Sequence, residues 1–331
     1  MSKIILAIET SCDDTSIAIL DGEDVLSLKT HSQIEEHQKF GGVIPELASR
    51  LHSKTIFAII ELTLIDANMK LTDLEAIAFT IGPGLVNTLQ IGAIVAKTLS
   101  SLLKIPVYGI NHLESHIYSP FIGEKFSSIP KEAIFLLVSG GNTIIGIKNG
   151  HDLSTIGETR DDAVGEAFDK VAKILGYSYP GGPIIDAIFQ TNKKTSFRAP
   201  VSNLPEFDFS YSGLKSAILK VYQEENDWTK EDLARGFQIA AITQLLNKIK
   251  LAYKKYNLSN IFVGGGVSAN SLLRFKLEEN EDYRVFVPKL NYSLDNAAMI
   301  GYLLQYKLAF NLIKPLDNLG VDVKPKLKLN E

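Results

Sequence analysis

The chain carries a single cysteine, Cys12, with one tryptophan and three methionines in 331 residues. One cysteine cannot close an internal disulfide, and its isolation fits a reducing compartment. No run of eighteen apolar residues occurs, so no segment is patterned as a membrane span. The start, MSKIILAIET, has neither a long apolar core nor a cleavage-like site. No signal peptide is therefore expected, and the cytosol is the predicted location. An excess of positive charge is also missing, with 34 Lys and Arg against 38 Asp and Glu, a net charge of −4. A chain that grips nucleic acid unaided normally shows a basic field. Here lysines gather only at Lys248, Lys250, Lys254 and Lys255 and along the tail at Lys324, Lys326 and Lys328. If RNA is a substrate, part of the binding surface is expected from another protein.

What is present reads as one pattern written twice. Strand signals at 3–8, 16–20 and 24–30 lead to a periodic helix opening at Pro45, a good first helical position. A strand at 75–80, a helix over 85–104 and a strand at 106–110 close the first copy. The second copy runs through strands at 133–138, 144–148 and near 151–156 to a helix over 161–176. Thr229 and Asp232 form a capping-box variant for a helix ending near Tyr256. Strand 260–263, a helix, strand 283–287 and a helix over 294–312 follow, and the tail after Pro315 reads as extended. The order implies an α/β fold of two lobes with helices on mixed sheets. The predicted division is 1–114, joined by 300–331, against 115–299. An irregular insertion at about 188–228, with Pro200, Pro205 and DFSYSGLK, reads as a clamp.

Ligands of α/β sheets gather at the carboxyl ends of strands. Four Gly- or Ser/Thr-rich turns lie at such ends: Thr10–Thr15, Gly82–Gly84, Ser139–Thr143 and Gly264–Asn270. Together they favour a nucleotide in a cleft between lobes, while P-loop and Rossmann fingerprints are missing. His112 and His116 stand at i and i+4 in NHLESH, so on a helix they share a face. That is metal-ligand spacing, and Asp295 is a candidate third ligand. Two histidines and a carboxylate leave open positions suited to Lewis-acid or substrate-binding work. The zinc-peptidase order H-E-x-x-H is not met, because Glu114 falls two places after His112. Cys12 has no sequence-adjacent histidine as base and reads as a small residue in a tight turn.

The set ETSCDDT (9–15), GGVIPELASRLH (41–52), GPGL (82–85), NHLESH (111–116), LVSGG (137–141), DDAVGEAFDKVAKILG (161–176), YPGGPIID (179–186), SYSGLK (210–215), GGGVSAN (264–270) and DNAAMI (295–300) resembles the bacterial TsaD family. That family is also called Gcp and is related to Kae proteins; the resemblance spans almost the whole chain. It implies an actin/hexokinase-like (ASKHA) fold of two RNase-H-like lobes. The implied activity is transfer of threonylcarbamoyl from threonylcarbamoyl-adenylate to N6 of adenosine 37 in tRNAs reading codons that start with A. By motif, His112, His116 and Asp295 would hold one divalent metal, iron first and zinc as the alternative. Leu137, Val138, Ser139, Gly140 and Gly141 would contact substrate, and Asp169, Gly182, Asp186 and Asn270 would hold the adenylate, with Asp186 at the ribose hydroxyls. No catalytic nucleophile is implied. A TsaB-like paralogue, a TsaE-like ATPase and a TsaC-type synthase are the implied helpers. The family commonly reads LVSGGHT; Asn142 here keeps a donor but loses an ionisable imidazole. The competing readings are the endopeptidase of older family descriptions, a non-catalytic nucleotide-binding scaffold, and a small-molecule kinase of the same fold.

Overall fold

The computed structural model describes residues 3–191, 195–224 and 227–329. It divides into two compact units, Met1–Ile129 with Leu294–Glu331, and Pro130–Ser293. The division expected after 114 would cut a helix, and Leu294–Met299 belong with the first unit.

In the first unit, β1 (Ile4–Glu9), β2 (Asp14–Asp21) and β3 (Asp24–Ser32) form an antiparallel meander. A short helix α1 (Ile34–Gln38) and the long α2 (Pro45–Asp66) follow, the latter with proline in its first turn as expected. Then come β4 (Ala76–Gly82), α3 (Val86–Leu103), β5 (Val107–Asn111) and α4 (His112–Tyr118). The sheet order is β3-β2-β1-β4-β5, with β4 parallel to both β1 and β5. Strands β1 and β4 are covered on both faces, which explains their apolar runs, IILAI and AIAF.

The second unit repeats this topology. Here β6 (Glu132–Val138), β7 (Thr143–Asn149) and β8 (Asp152–Glu158) make the meander. Helices α5 (Val164–Ile174), α6 (Gly181–Gln190), α7 (Ser212–Gln223) and α8 (Lys230–Tyr256) precede β9 (Asn260–Gly264), α9 (Ser271–Glu278) and β10 (Arg284–Phe286). The order β10-β9-β6-β7-β8 is that of the first sheet, strand for strand. Helix α10 (Ala297–Ala309) returns to the first unit and packs on β1, β2 and α4.

The Thr229–Asp232 capping box is present, and Asn257 in the left-handed region ends α8. Three expectations change. The stretch read as irregular contains α7, and YPGGPIID opens α6. Part of that stretch, residues 192–194 and 225–226, lies outside the described residues. The helix expected over 161–176 starts only at Val164, because Asp161 accepts bonds from Ser210, Tyr211 and Ser212 and so sits in a tether rather than a helical turn. The tail after Pro315 has no regular element but is held. Leu316 donates to the Val107 carbonyl, Lys324 to that of Ile81, and Leu327 is buried in the first core.

Helix α3 is long and apolar enough to cross a membrane by composition. Its Leu89, Ala93, Ala96 and Leu99 are instead buried against β4 and α2, the pattern of a core helix.

Candidate functional site

The first unit assembles a buried polar cluster where β1, β5 and α10 end or begin. Asn111 closes β5 and caps α4, its side-chain oxygen accepting from the amides of Leu113 and Glu114 at 2.9 and 3.2 Å. Helix α4 then carries His112 and His116 one turn apart, as the spacing predicts, with ring centroids 4.7 Å apart. Asp295 arrives from the loop before α10, where Asn296 caps the helix by accepting from the Met299 amide. Its Oδ1 lies 3.0 Å from His116 Nε2 and 3.6 Å from His112 Nε2. The three ligand-type atoms fall within 4.8 Å of one another.

This donor set fits a metal ion. Both imidazoles turn Nε2 toward one carboxylate oxygen, and His116 Nδ1 is buried with no partner among the described residues. His112, His116 and Asp295 could therefore hold a cation with open positions left for substrate.

Glu9, at the end of β1, is fully buried behind the cluster and accepts from His112 Nδ1 at 3.1 Å. It also accepts from the Ser11 amide at 2.5 Å and from the Thr80 hydroxyl. Burial opposes a charged His112, but Glu9 and Asp295 outweigh it and lift the imidazole to about 9. For His116 burial prevails, and its pKa falls below the usual histidine value. The two rings share a helix yet differ in charge preference, because Glu9 faces only one of them. Local reading of the sequence passed over Glu9. Its only signal was position, at the end of a buried strand and ahead of a Ser/Thr turn.

Glu114 points away from this cluster and pairs with Lys307 at 2.6 Å. It is held as an anchor between α4 and α10 rather than as a general base. Cys12 is no better placed for chemistry. Burial, with Asp13 beside it, pushes the thiol well above its usual range, and His52 reaches only its carbonyl, at 2.9 Å.

The second unit holds the remaining candidates. Leu137 and Val138 are fully buried in β6, so the part of that segment open to a ligand is Ser139–Gly141. There the Ser139 amide donates to the Asn142 carbonyl and the Asn142 amide to the Ser139 hydroxyl, closing a tight turn. A Cβ on Gly140, Gly141 or Gly182 would meet nothing within 4 Å, so these backbones face open space. Gly265 is the reverse case. Its φ is 91° and an added Cβ would stand 2.3 Å from the Val138 carbonyl, so only glycine lets this turn rest on β6.

Asp169 accepts from the Gly181 amide at 2.7 Å, setting the start of α6. Asp186 and Asn270 come together, but their polar atoms are largely occupied. Asp186 accepts from Gln238, Asn270, Gln190 and both the amide and hydroxyl of Ser271. Asn270 caps α9 by accepting from the Leu273 amide at 3.0 Å. A ribose-binding role for Asp186 would have to compete with these donors. The geometry instead makes it a bolt between α6, α8 and α9.

A family model described as tRNA N6-adenosine threonylcarbamoyltransferase matches residues 24–302. Proteins with that name are similar to this chain: one from Persephonella marina is 44% identical over 307 residues, 90% of this chain and 88% of that protein. Another from Thermosipho melanesiensis is 40% identical over 332 residues, 98% of this chain and all of the relative. Among solved structures, HypF of T. kodakarensis overlays 93% of this chain and 48% of its own at a TM-score of 0.60 and 12% identity. The activator of a 2-hydroxyisocaproyl-CoA dehydratase from Clostridium difficile overlays 96% of this chain and all of its own, at 0.52 and 14%. These two likenesses show the fold, the ASKHA-type α/β arrangement.

Proposed function

The chain belongs to the TsaD family of tRNA N6-adenosine threonylcarbamoyltransferases, and we propose that it performs the family's transfer with one divalent ion held by His112, His116 and Asp295. It is an acyltransferase of tRNA modification, acting in threonylcarbamoyladenosine formation. The match over residues 24–302 carries this reading.

In the proposed reaction, N6 of adenosine 37 attacks the carbamoyl carbon of threonylcarbamoyl-adenylate. A C–N bond forms, the C–O bond to phosphate breaks, AMP leaves with the electron pair and N6 gives up a proton. The donor is already activated, so the protein's work is orientation and stabilisation of developing negative charge. A bound ion, Fe2+ by donor set and family with Zn2+ as the alternative, would act as a Lewis acid on phosphate or carbamoyl oxygen. The open backbone at Gly140, Gly141 and Gly182 suits the adenylate, with Asp169, Asp186 and Asn270 holding the surrounding helix ends in place.

The rival readings have less support. The pairing of Glu114 with Lys307 removes the peptidase base, and a degenerate scaffold would not keep the whole His-His-Asp set.

A paralogue partner is part of the proposal. Of the apolar residues on α2 and α3, Ile56, Ile59, Ile60, Leu64, Val95 and Leu99 are in the core. Leu62 and Ile94 are exposed, joined by Phe57, Ile65 and Leu102. Such a set on neighbouring helices suits a TsaB-like partner, with a TsaE-like ATPase as the further helper. The test is nucleoside mass spectrometry of unmodified tRNA incubated with threonylcarbamoyl-adenylate, this chain and both helpers. Threonylcarbamoyladenosine that depends on His112 and His116 is expected. Helpers that modify tRNA equally well without this chain would overturn the reading.

A further inference from the structure

We infer that Glu9 is a positioning residue for the metal centre, holding His112 in the one tautomer that can bind a metal through Nε2. The inference rests on the proposed ion site and adds a residue to it. His112 has two ring nitrogens, and a neutral imidazole can ligate only through the one without a proton. Nδ1 lies 3.1 Å from Glu9 Oε2, and a carboxylate can only accept there. The Nδ1 proton is thereby fixed, and Nε2, 3.6 Å from Asp295 Oδ1, is the nitrogen that gives up its proton to bind the ion. Carboxylate–histidine–metal chains of this kind orient ligands and raise their basicity.

Glu9 is itself held on every side. Its carboxylate is fully buried, with Oε1 accepting from the Ser11 amide at 2.5 Å and Oε2 from the Thr80 hydroxyl as well as from His112. The Ser11 amide is a donor that cannot be reversed, so it fixes which oxygen of Glu9 faces which neighbour. An isosteric Glu9→Gln change must keep its carbonyl oxygen toward Ser11. Its NH2 group then faces His112 Nδ1 and calls for an acceptor there. That moves the ring proton to Nε2 and blocks ligation, with almost no change in shape. One alternative partner exists: the Ser11 hydroxyl stands 3.3 Å from the same Nδ1.

The experiment measures affinity of the chelator-stripped chain for Co2+ alone, by competition and by the visible absorption of the bound ion. Glu9→Gln should bind about 10–100-fold more weakly than wild type, the range for partners of ligating histidines, and shift the absorption bands. Ser11→Ala should stay within about threefold. Wild-type affinity in Glu9→Gln, or an equal loss in Ser11→Ala, would overturn the role of Glu9. Should Glu9→Gln not fold, 15N shifts of His112 in Zn2+-loaded wild type decide the matter: the ion on Nε2 supports the inference, and the ion on Nδ1 overturns it. Failure of the underlying site looks different, because wild type and His116→Ala would then bind Co2+ alike.

Discussion

Asn270 donates its side-chain amide to Asp186 across 3.1 Å while its oxygen caps α9, so one residue joins the start of that helix to the carboxylate that bolts α6 to α8. Asp186→Ala would strip acceptors from Gln238, Asn270 and Ser271 together. Buried donors left unpaired cost about 1–3 kcal/mol. We expect urea unfolding of Asp186→Ala to shift by roughly that amount without any ligand. An unchanged midpoint, with a lost response to adenine nucleotides, would return Asp186 to a ligand-contacting role.

The metal site predicts about one ion per chain. His112→Ala or His116→Ala should lower affinity by more than the roughly 100-fold seen on removing an outer partner. Elemental analysis of the double variant reads this directly. Full occupancy there would place the ion elsewhere.

Burial raises the Asp14 carboxyl to about 7 from an ordinary 3.8, and its Oδ1 is buried with no partner among the described residues. Between those values the folded chain holds a proton that the unfolded chain has released. The stability this provides is complete below about pH 4 and is lost as pH rises through 7. Asp14→Asn cannot ionise, so it should stabilise the chain at pH 8 relative to pH 4, by about 2 kcal/mol after allowing for partial exposure. Denaturant midpoints at both values check this; an equal effect at the two would contradict it.

A net charge of −4 leaves few phosphates for this chain to neutralise. Alone it should bind tRNA weakly, with a shallow dependence of log affinity on log salt. Little multiple turnover is expected until the paralogue and ATPase are added. Robust steady-state modification by the isolated chain would contradict the partner inference.

Phe57 is 63% exposed on α2 and Ile94 61% exposed on α3. Phe57→Glu and Ile94→Glu should abolish co-elution with the paralogue while moving the melting temperature little, since neither side chain is in the core. Intact complexes in both variants would place the partner elsewhere.

Much of the fold is legible in the sequence because its determinants are local. Apolar runs bounded by Gly and Ser/Thr turns mark β1, β4, β6 and β9. Proline at 45 opens α2, the Thr229–Asp232 box opens α8, and the i, i+4 spacing puts His112 and His116 on one face. A sheet order shared by both units follows from the same element order written twice. Helix α7 was hidden because SYSGLK reads as turn chemistry, and only its tether to Asp161 reveals where the helix starts.

The site divides differently. The sequence alone determined the histidine pair, since helical periodicity is a property of five consecutive residues. The sequence also offered Asp295 as a candidate third ligand, and the resemblance agreed, but only the fold brings it near, 179 residues from His116. Tertiary structure alone decided that Glu9, 103 residues from His112, would face its Nδ1. It likewise decided that Asp186 would meet Ser271 and that Glu114 would meet Lys307. A carboxylate looks the same in any sequence. Which donor it meets is settled by sheet register and helix packing, which no local pattern encodes.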